Sequence, residues 1–514
     1  MKRIIGFLLC LCIAVSLCAC SDTDAYIPTG DALVYDDDYT GPTATRPSDD
    51  ENQELALTYY PDRSLNPLLC TDYCNRVLFS LIYQSLFTVD RDYVVEPQLC
   101  KSWQRSEDMR TWVFYLENAT FDDGSALTAQ DVTASLNTAR SSSYYSGRFT
   151  HIDDVSVNSE GGIVITVDTP FENLPILLDI PILKASQVSA DYPAGTGPYM
   201  LDTTAQTPVL RRNNGWWCNA ELPVSAAAIK LTVASSPTSV RDAFEFSDLS
   251  LVCADPGSDR YADYRCDYEL WDIENNFFVY LACNLDSAVF SNPQVRSALV
   301  YAVDRENVAA EFYRGFARSA ALPASPLSPY YSDVLAEKYA YDGCEALTQA
   351  VTDASLSGTT VQLLVNKDDS LRLRVARSVA KTLKASGLDV QTKELSGSKY
   401  TNALKRREYD LYLGQTKLSA NMDLTPFFSS GGSLNYGGFS NVALNTLCSE
   451  SLANYGNYYT LHQKVMDDGR LVPILFRSYA IYATRGLLTG LMPTRDNVFY
   501  YSMGKTMETT EIKG

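Results

Sequence analysis

The chain has 514 residues, a formal net charge of −20 and 46% hydrophobic residues. The negative charge argues against a nucleic-acid-binding role, which needs basic grooves, and the apolar content is typical of a globular protein. One hydrophobic core rarely extends over so long a chain, so at least two lobes are expected.

The first 19 residues have the order of a secretory signal peptide. Lys2 and Arg3 precede a run of 14 mostly apolar residues, which is shorter than the roughly 20 that span a membrane. The following Leu17-Cys18-Ala19-Cys20 resembles a bacterial lipobox. We therefore expect cleavage before Cys20 and a lipid anchor containing palmitate on that residue. The alternative is an ordinary secreted protein in which Cys20 has no special role.

Residues 20–52 are expected to form a lipidated cysteine followed by a disordered acidic linker. The segment is rich in Asp, Thr, Pro and Gly and has almost no apolar clusters, so it cannot bury enough surface to fold alone. Repulsion among its aspartates should keep it extended.

The first elements of the mature chain alternate between strand and helix patterns. Residues 55–60 and Thr111–Leu116 are predicted strands, and the apolar spacing from Val77 to Leu86 predicts a helix that starts near residue 72 or 74. A turn at Asp122–Gly124 precedes a helix over Ala129–Ala139. Thr128 is its expected N-cap, with Asp131 in the capping-box position.

The second half of the chain predicts a β-α-β unit. An amphipathic helix over residues 371–386, ended by Gly387, lies between predicted strands at 361–365 and 389–393. Other predicted elements are strands at 163–167, 208–213 and 277–281 and a helix from Val295 that begins at Asn292-Pro293. This irregular mixture indicates an α/β or mixed α+β protein without repeats.

Few residues of the chain favour metal or enzyme chemistry. His151 and His462 are its only histidines, so nickel or haem binding is disfavoured, and both are expected at the surface. Nine cysteines follow Cys20, without a C-x-x-C spacing, so no pairing can be assigned. The nucleophile and zinc motifs of secreted hydrolases are absent. We therefore expect no catalytic residue, no metal and no cofactor.

Several loose motifs in a fixed order resemble the family 5 extracellular solute-binding proteins, the oligopeptide-, dipeptide- and nickel-binding partners of ABC importers. They extend from Asn66-Pro67 to Val472-Pro473 and cover nearly the whole mature chain. The most extensive are Leu81–Leu86, Val95–Leu99, Thr111–Leu116, Phe121–Gly124, Gly195–Tyr199 and Asn292–Arg305.

The resemblance implies a two-lobed, periplasmic-binding-protein-like fold (type II, cluster C) with an extra subdomain inserted in the first lobe. Lobe I would comprise residues 53–75, 190–270 and 486–514, the insert residues 76–189, and lobe II residues 271–485. The lobes would be joined by crossings near 271–278 and 481–485.

The same resemblance implies a function without covalent chemistry. The protein would capture a small ligand, in the first instance a peptide, between its lobes and deliver it to the permease subunits of an ABC importer. It would act as a monomer, anchored by lipid to the extracytoplasmic face of a bacterial cell membrane. The ligand-binding residues implied by the family's layout are Thr71, Asp72, Tyr73, Gly414, Gln415, Thr416, Lys417, Asn435 and Tyr436.

One departure from the family's pattern leaves the ligand open. Peptide binders of this family often carry Gly-Trp near the positions that correspond to residues 414–417. An acidic residue three positions further on pairs with the peptide's ammonium group. The matching positions here are Gln415 and Leu418, although Asp423 could substitute. A non-peptide solute such as an oligosaccharide, a ligand-sensing lipoprotein and, more remotely, a secreted hydrolase are the alternatives.

Overall fold

The computed structural model describes residues 55–70, 75–202, 204, 207–234, 236–256, 264–488, 491–504 and 510–512. Strands and helices alternate irregularly along these ranges, as expected of a mixed α/β protein. No helix in the described ranges combines the length and the apolar character needed to cross a bilayer.

The strands fall into three sheets. They are β1 (Leu55–Tyr59), β2 (Phe87–Val89), β3 (Val95–Pro97), β4 (Cys100–Arg105), β5 (Thr111–Leu116), β6 (Ile152–Val157), β7 (Ile163–Val167), β8 (Tyr199–Asp202), β9 (Val209–Arg212), β10 (Ala228–Val233), β11 (Leu251–Ala254), β12 (Glu269–Cys283), β13 (Ala317–Ser319), β14 (Thr360–Asn366), β15 (Asp389–Leu395), β16 (Leu411–Lys417), β17 (Leu471–Ala483) and β18 (Thr510–Glu511).

The α-helices are mostly short. They are α1 (Phe79–Ile82), α2 (Ala129–Ala139), α3 (Pro237–Glu245), α4 (Pro293–Leu299), α5 (Arg305–Tyr313), α6 (Asp333–Ala336), α7 (Glu345–Asp353), α8 (Ser370–Leu383), α9 (Gly397–Lys405), α10 (Thr425–Phe428), α11 (Val442–Ala453) and α12 (Tyr458–Asp468). Short 3-10 turns occupy Arg76–Leu78, Ser146–Phe149, Leu174–Leu177, Ala185–Gln187, Glu337–Tyr339, Lys384–Ser386 and Tyr455–Asn457.

Two long strands join the halves of an eleven-stranded sheet. The order is β15-β14-β16-β12-β17-β11-β1-β10-β9-β8, and β13 also pairs with β17. β12 and β17 have 15 and 13 residues and run antiparallel to each other. β12 also pairs with β16, and β17 also pairs with β11. These two strands therefore connect two lobes, and the predicted crossings lie within β12 and where β17 ends.

Lobe II contains the β-α-β unit that the sequence predicts. β14 and β15 are parallel along their whole length. α8 between them buries an apolar face that includes Leu371, Val375, Val379 and Leu383. Gly387 follows with a φ of +88°, a conformation that glycine adopts without the steric cost a side chain would add.

The insert is built on a second sheet with the order β18-β4-β5-β7-β6. α2 lies beside this sheet, and its N-terminus has the predicted capping box, with Thr128 N donating to the Asp131 carboxylate at 2.8 Å. The family's layout places residues 486–514 in lobe I. Within that range, β18 pairs with β4 and covers what would otherwise be an open edge of the insert's sheet.

The helix predicted from residue 72 or 74 to Leu86 is much shorter in the structure. Residues 76–82 form a 3-10 turn and α1, and the chain is already extended at Tyr83. The backbone beyond α1 bonds to distant segments: Ile82 O accepts from Gly197 N at 2.8 Å, and Gln84 O accepts from Ile182 N at 2.9 Å. These tertiary bonds replace the next helical turn.

Glycine is required at positions 195 and 197 of the Gly195–Tyr199 turn, because both positions pack closely against the backbone of Ile82. A Cβ on Gly195 would lie 2.0 Å from Ile82 O, and one on Gly197 would lie 2.6 Å from it. The turn therefore brings two backbones together and is a packing feature.

A bulge interrupts β12 where it passes between the lobes. Glu274 pairs with Ser478 and Phe278 with Phe476, so three residues of β12 stand opposite one of β17. Asn276 within it has a φ of +59°, which asparagine tolerates better than most residues. Its side-chain oxygen accepts a 2.6 Å hydrogen bond from the Tyr93 hydroxyl of the insert. The bulge turns the strand at the junction of insert and lobe II.

Candidate functional site

A cavity of about 370 Å³ lies between lobe II, the insert and the C-terminal segment. Lobe II contributes the end of β16 and the loop that follows it, residues 415–420. The insert contributes the loop around Tyr144 and Arg148, the bulge contributes Asn276 and Phe277, and the C-terminal segment contributes Arg495 and Asp496. Parts of the chain that are hundreds of residues apart thus form one site.

Five charged residues at one wall of the cavity form a network that we call the cavity cluster: Arg148, Asp179, Lys417, Arg495 and Asp496. Lys417 Nζ lies 2.5 Å from Asp496 Oδ1, and Arg148 Nη2 lies 3.2 Å from Asp496 Oδ2. Arg148 also pairs closely with Asp179, which lies 3.8 Å from Arg495 Nη2. The network ties lobe II to the insert and to the C-terminal segment.

The cavity cluster is buried and its charges are unequal in number. Its side chains are between 4% and 17% exposed, and it holds three cations but two carboxylates. Burial lowers the pKa of Lys417 to about 8, although the nearby Asp496 favours the charged form. Burial opposes ionisation of Asp496, yet Lys417 and the two arginines hold its pKa well below the usual range.

Aromatic rings and a further cation surround the lysine. Lys417 Nζ lies 4.2 Å from the centre of the Tyr144 ring and 5.8 Å from that of Phe277. The Arg76 guanidinium packs on the same tyrosine ring, 3.4 Å from its centre. The Tyr144 hydroxyl donates to Asp496 Oδ1 at 2.5 Å. The rings fix the positions of the cations but cannot neutralise their charge.

A histidine of the insert pairs with lobe II on another side of the cavity. His151 Nε2 lies 3.3 Å from the Asp423 carboxylate, and Nδ1 lies 2.8 Å from Asp168. Burial alone would lower the pKa of His151, but Asp423 and Asp168 raise it to about 9. Asp423 also accepts a hydrogen bond from the Thr425 backbone N–H at 2.8 Å. Asp423 is therefore fully engaged within the protein.

The expectation that both histidines lie at the surface was wrong. His151 is buried because its ion pairs compensate for the lost solvation. His462 is buried on α12 against the Tyr458 ring, and burial lowers its pKa to about 3. Neither ring nitrogen of His462 has a hydrogen-bond partner among the described residues. His462 therefore behaves as a neutral core residue.

The comparisons with known proteins fit this architecture. The sequence model of the bacterial extracellular solute-binding proteins, family 5, matches residues 94–437. The chain belongs to this family. The family 5 fold is also found in the structure of the ABC transporter substrate-binding protein CtaP from Listeria monocytogenes, with a TM-score of 0.71 and 19% identity over 87% of this chain and 97% of CtaP.

Two curated relatives from Escherichia coli (strain K12) are similar in sequence. The glutathione-binding protein GsiB is 24% identical over 344 residues, which is 64% of this chain and 66% of GsiB. The nickel-binding periplasmic protein is 27% identical over 291 residues, which is 52% of this chain and 54% of that protein. The alignments thus span less than two thirds of these relatives. Both are named for what they bind and not for a reaction.

The family's layout implies binding residues on β16, and the structure places three of them at the cavity. Gln415, Thr416 and Lys417 line it. Gly414 lies one residue deeper, where a Cβ would come within 2.4 Å of the Tyr280 ring. Its role is to let β16 pass close to that tyrosine. Leu418, which replaces the expected acidic residue, lines the cavity as a buried apolar side chain.

The other implied residues lie further away or outside the described ranges. Asn435 donates to Ser429 O at 2.8 Å and accepts from Phe439 N, so it holds its own loop. Tyr436 packs against Tyr412, with ring centres 6.2 Å apart. Their neighbours Ser433 and Leu434 line the cavity instead. Thr71, Asp72 and Tyr73, like Cys20, lie outside the described residues.

The residues that sequence reasoning missed are those of the insert and the C-terminal segment. Tyr144, Arg148, Arg495 and Asp496 stand in loops without a motif, and Arg148 is 348 positions from Asp496. Residues so far apart in the chain share no local sequence pattern that would predict their contact. The clustered tyrosines and the arginine of residues 144–148 were the available signal, since loops on rigid scaffolds commonly carry binding residues.

Among the residues that the structure describes, no group of three or more His, Cys, Asp or Glu side chains is placed to hold a metal ion.

Proposed function

We propose that this protein is the extracytoplasmic solute-binding component of an ABC importer and that it captures a small solute, with a short peptide as the first candidate, in the cavity beside β16. The solute is released intact to the permease subunits. The observation that carries this proposal is the cavity itself, whose wall combines lobe II with the insert and the C-terminal segment.

The placement of the cavity supports a closing mechanism. A ligand that contacts both sides of such a junction favours the closed arrangement, because only that arrangement offers all of its contacts. The long strands β12 and β17 join the lobes, and the β12 bulge lies at the edge of the cavity. This bulge is a suitable place for the bending that closure requires.

The relatives support the coarse role. GsiB and the nickel-binding protein are binding proteins, and CtaP is described as the substrate-binding protein of an ABC transporter. Their different ligands show that the family alone does not fix what this chain binds.

Capture without conversion can be tested by native mass spectrometry. The mature protein is incubated with a peptone digest, desalted and sprayed, and the released small molecules are compared with the input. We expect one bound molecule per chain, with a mass present in the input. Product masses that grow with time would overturn the proposal in favour of a hydrolase. Heat-unfolded protein is the control for adsorption.

We also propose that the protein is held at the outer face of the cell membrane by a lipid on Cys20. The support is the sequence Leu17–Cys20 and the acidic segment that follows it. Metabolic labelling with palmitate should mark the wild-type protein and not the Cys20→Ala variant. Equal labelling of the two proteins would contradict the anchor.

A further inference from the structure

Two residues with left-handed backbones meet where the insert contacts the β12 bulge. Tyr93, in the turn between β2 and β3, has a φ of +64°, and Asn276 in the bulge has a φ of +59°. Tyr93 is the only aromatic residue among the described non-glycine residues with a positive φ. This conformation is costly for residues other than glycine and recurs at ligand clamps and switch regions. Two such residues in contact indicate a function for this junction.

A buried hydrogen bond joins the two residues. The Tyr93 hydroxyl donates to the Asn276 side-chain oxygen at 2.6 Å, and Glu274 Oε1 lies 3.3 Å from the same hydroxyl. All three residues are buried. A buried hydrogen bond is costly to leave unmade, because its two groups cannot turn to water instead. The bond therefore holds the insert against the strand that joins the lobes.

Asn276 also binds the lobe II wall of the cavity. Its Nδ2 donates to Leu418 O at 3.4 Å, and its backbone oxygen accepts from Leu418 N at 3.0 Å. Asn276, Phe277 and Leu418 line the cavity, whereas Tyr93 is not among the described residues that line it. One asparagine thus connects a hydroxyl of the insert to the loop of lobe II that faces a solute.

The turn that carries Tyr93 is fixed by its own bonds and by the C-terminal segment. Asp90 Oδ1 accepts from the backbone N–H groups of Asp92 and Val94, both at 2.8 Å. Arg495 Nη1 donates to Asp90 O at 3.2 Å, and its guanidinium lies 4.8 Å from the centre of the Tyr93 ring. The hydroxyl therefore has a fixed position, and its bond to Asn276 depends on how closely the bulge approaches the insert.

We propose that Tyr93 is a positioning residue for solute capture: its hydroxyl bonds to Asn276 when the lobes close and so holds the cavity shut around the solute. This inference rests on the proposed function and names a residue that sets its affinity without touching the solute. A bond made only in the closed arrangement favours closing. It slows the release of the solute and leaves the encounter rate unchanged, because encounter precedes closing.

Native mass spectrometry over a dilution series of a peptone digest tests this inference. Tyr93→Phe removes only the hydroxyl, so the digest concentration that half-occupies the mature protein should rise roughly tenfold. Release of the bound species after dilution of the complex should speed up by a similar factor. Equal occupancy curves for the wild type and Tyr93→Phe would overturn the inference and leave solute capture intact. A wild type that binds nothing would overturn the proposed function, and this inference with it.

Tyr339→Phe is the matched control, because it removes a similar bond that lies within lobe II. The Tyr339 hydroxyl donates to Asp467 Oδ1 at 2.8 Å. This variant should lower the free energy of unfolding of the ligand-free protein in urea and leave the half-occupying concentration unchanged. Tyr93→Phe should do the reverse, since its bond forms on closing. An equal loss of stability in ligand-free Tyr93→Phe would assign Tyr93 to the fold and overturn the proposal.

A double-mutant cycle tests whether the effect passes through Asn276. Asn276→Gly removes the side chain and retains the left-handed backbone without strain. In that background, Tyr93→Phe should raise the half-occupying concentration by no more than roughly threefold, because the bond is already absent. A full tenfold rise in the Asn276→Gly background would overturn the assignment of Asn276 as the partner.

Discussion

Two buried networks of charged side chains lie near each other in the molecule and differ in their numbers of cations and carboxylates. One is the cavity cluster. The other, which we call the sheet cluster, consists of Asp255, Asp369, Arg372 and Arg477. Arg477 of β17 pairs closely with Asp255, and Arg372 Nε lies 2.6 Å from Asp369 Oδ2. The sheet cluster has two cations and two carboxylates, whereas the cavity cluster has three cations and two.

The two networks also differ in what they face. None of the four sheet-cluster residues is among the described residues that line the cavity. Arg477 contacts that lining through the 2.9 Å bond from its Nη1 to Gln415 and through the Phe277 ring, whose centre lies 5.8 Å from the guanidinium. Burial opposes the charge on Arg477, yet Asp255 and Tyr313 raise its pKa. Charges that pair within the protein hold parts of the fold together, whereas charges that line the cavity are also placed to meet a ligand. The comparison thus sets charges that face the cavity against charges that do not.

The largest expected effect is on the sheet cluster. Arg477→Met removes the cation that pairs closely with the buried Asp255 carboxylate, so the free energy of unfolding should fall by about 3–5 kcal/mol. Urea denaturation measures this. Arg377→Met is the control, because Arg377 is 57% exposed in its pair with Glu394 and should contribute less than about 1 kcal/mol. Equal losses in the two variants would contradict the structural role of the sheet cluster.

A pH effect comes next and tests the His151–Asp423 pair. The folded-state pKa of His151 is raised to about 9 from 6.5, so its contribution is complete below pH 6.5 and is lost as the pH rises through 9. The free energy of unfolding should fall by up to about 3 kcal/mol over that window. His151→Gln should remove this fall.

Glu274 provides an internal reference for the same measurement. Burial raises its pKa to about 7 from 4.5, so it makes stability decline between pH 4.5 and 7. That decline should persist in His151→Gln. A variant that lost both declines would show that the mutation had disturbed the fold and not only the ion pair.

The third effect is on the pH dependence of binding. The Lys417 pKa of about 8 lies below its ordinary 10.5, so if a proposed peptide ligand places its carboxylate beside Lys417, that pKa should rise and the complex should take up a proton. Affinity should then fall as the pH rises above 8, by at most about tenfold for each pH unit. Titration calorimetry in buffers of different ionisation enthalpy counts the protons. Lys417→Arg should bind without this dependence, since arginine stays protonated.

The smallest effect completes the contrast between the clusters. Lys417→Met leaves two cations facing two carboxylates in the cavity cluster, so the free energy of unfolding of the ligand-free protein should change by less than about 1 kcal/mol. Urea denaturation alongside Arg477→Met gives the comparison directly. A loss as large as that of Arg477→Met would mean that Lys417 is a structural residue.

The sequence predicts those parts of the fold that local patterns determine. The capping box at Thr128, the strand Thr111–Leu116 and the β-α-β unit around α8 were predicted and confirmed, because each depends on residues a few positions apart. The helix predicted to reach Leu86 was wrong, because the backbone of residues 82 and 84 bonds to segments about 100 positions away.

Of the residues that line the cavity, the sequence could predict only those that the resemblance to the family implied. Residues of β16 were implied by the resemblance, and Gln415, Thr416 and Lys417 lie at the cavity. Arg148 and Asp496 were not foreseen, because only the folded topology brings them to Lys417. The burial of His151 depends in the same way on Asp423, which is 272 positions away in the chain.

The pairing of β18 with β4 has a consequence for how the chain matures. β4 emerges early in synthesis, whereas the strand that covers its edge comes about 400 residues later. During export the β4 edge of the insert's sheet therefore stays unpaired, and able to bind other extended peptides, until almost the entire polypeptide has crossed the membrane. Premature termination upstream of residue 510 would leave that flank exposed permanently, so such products should be prone to aggregation.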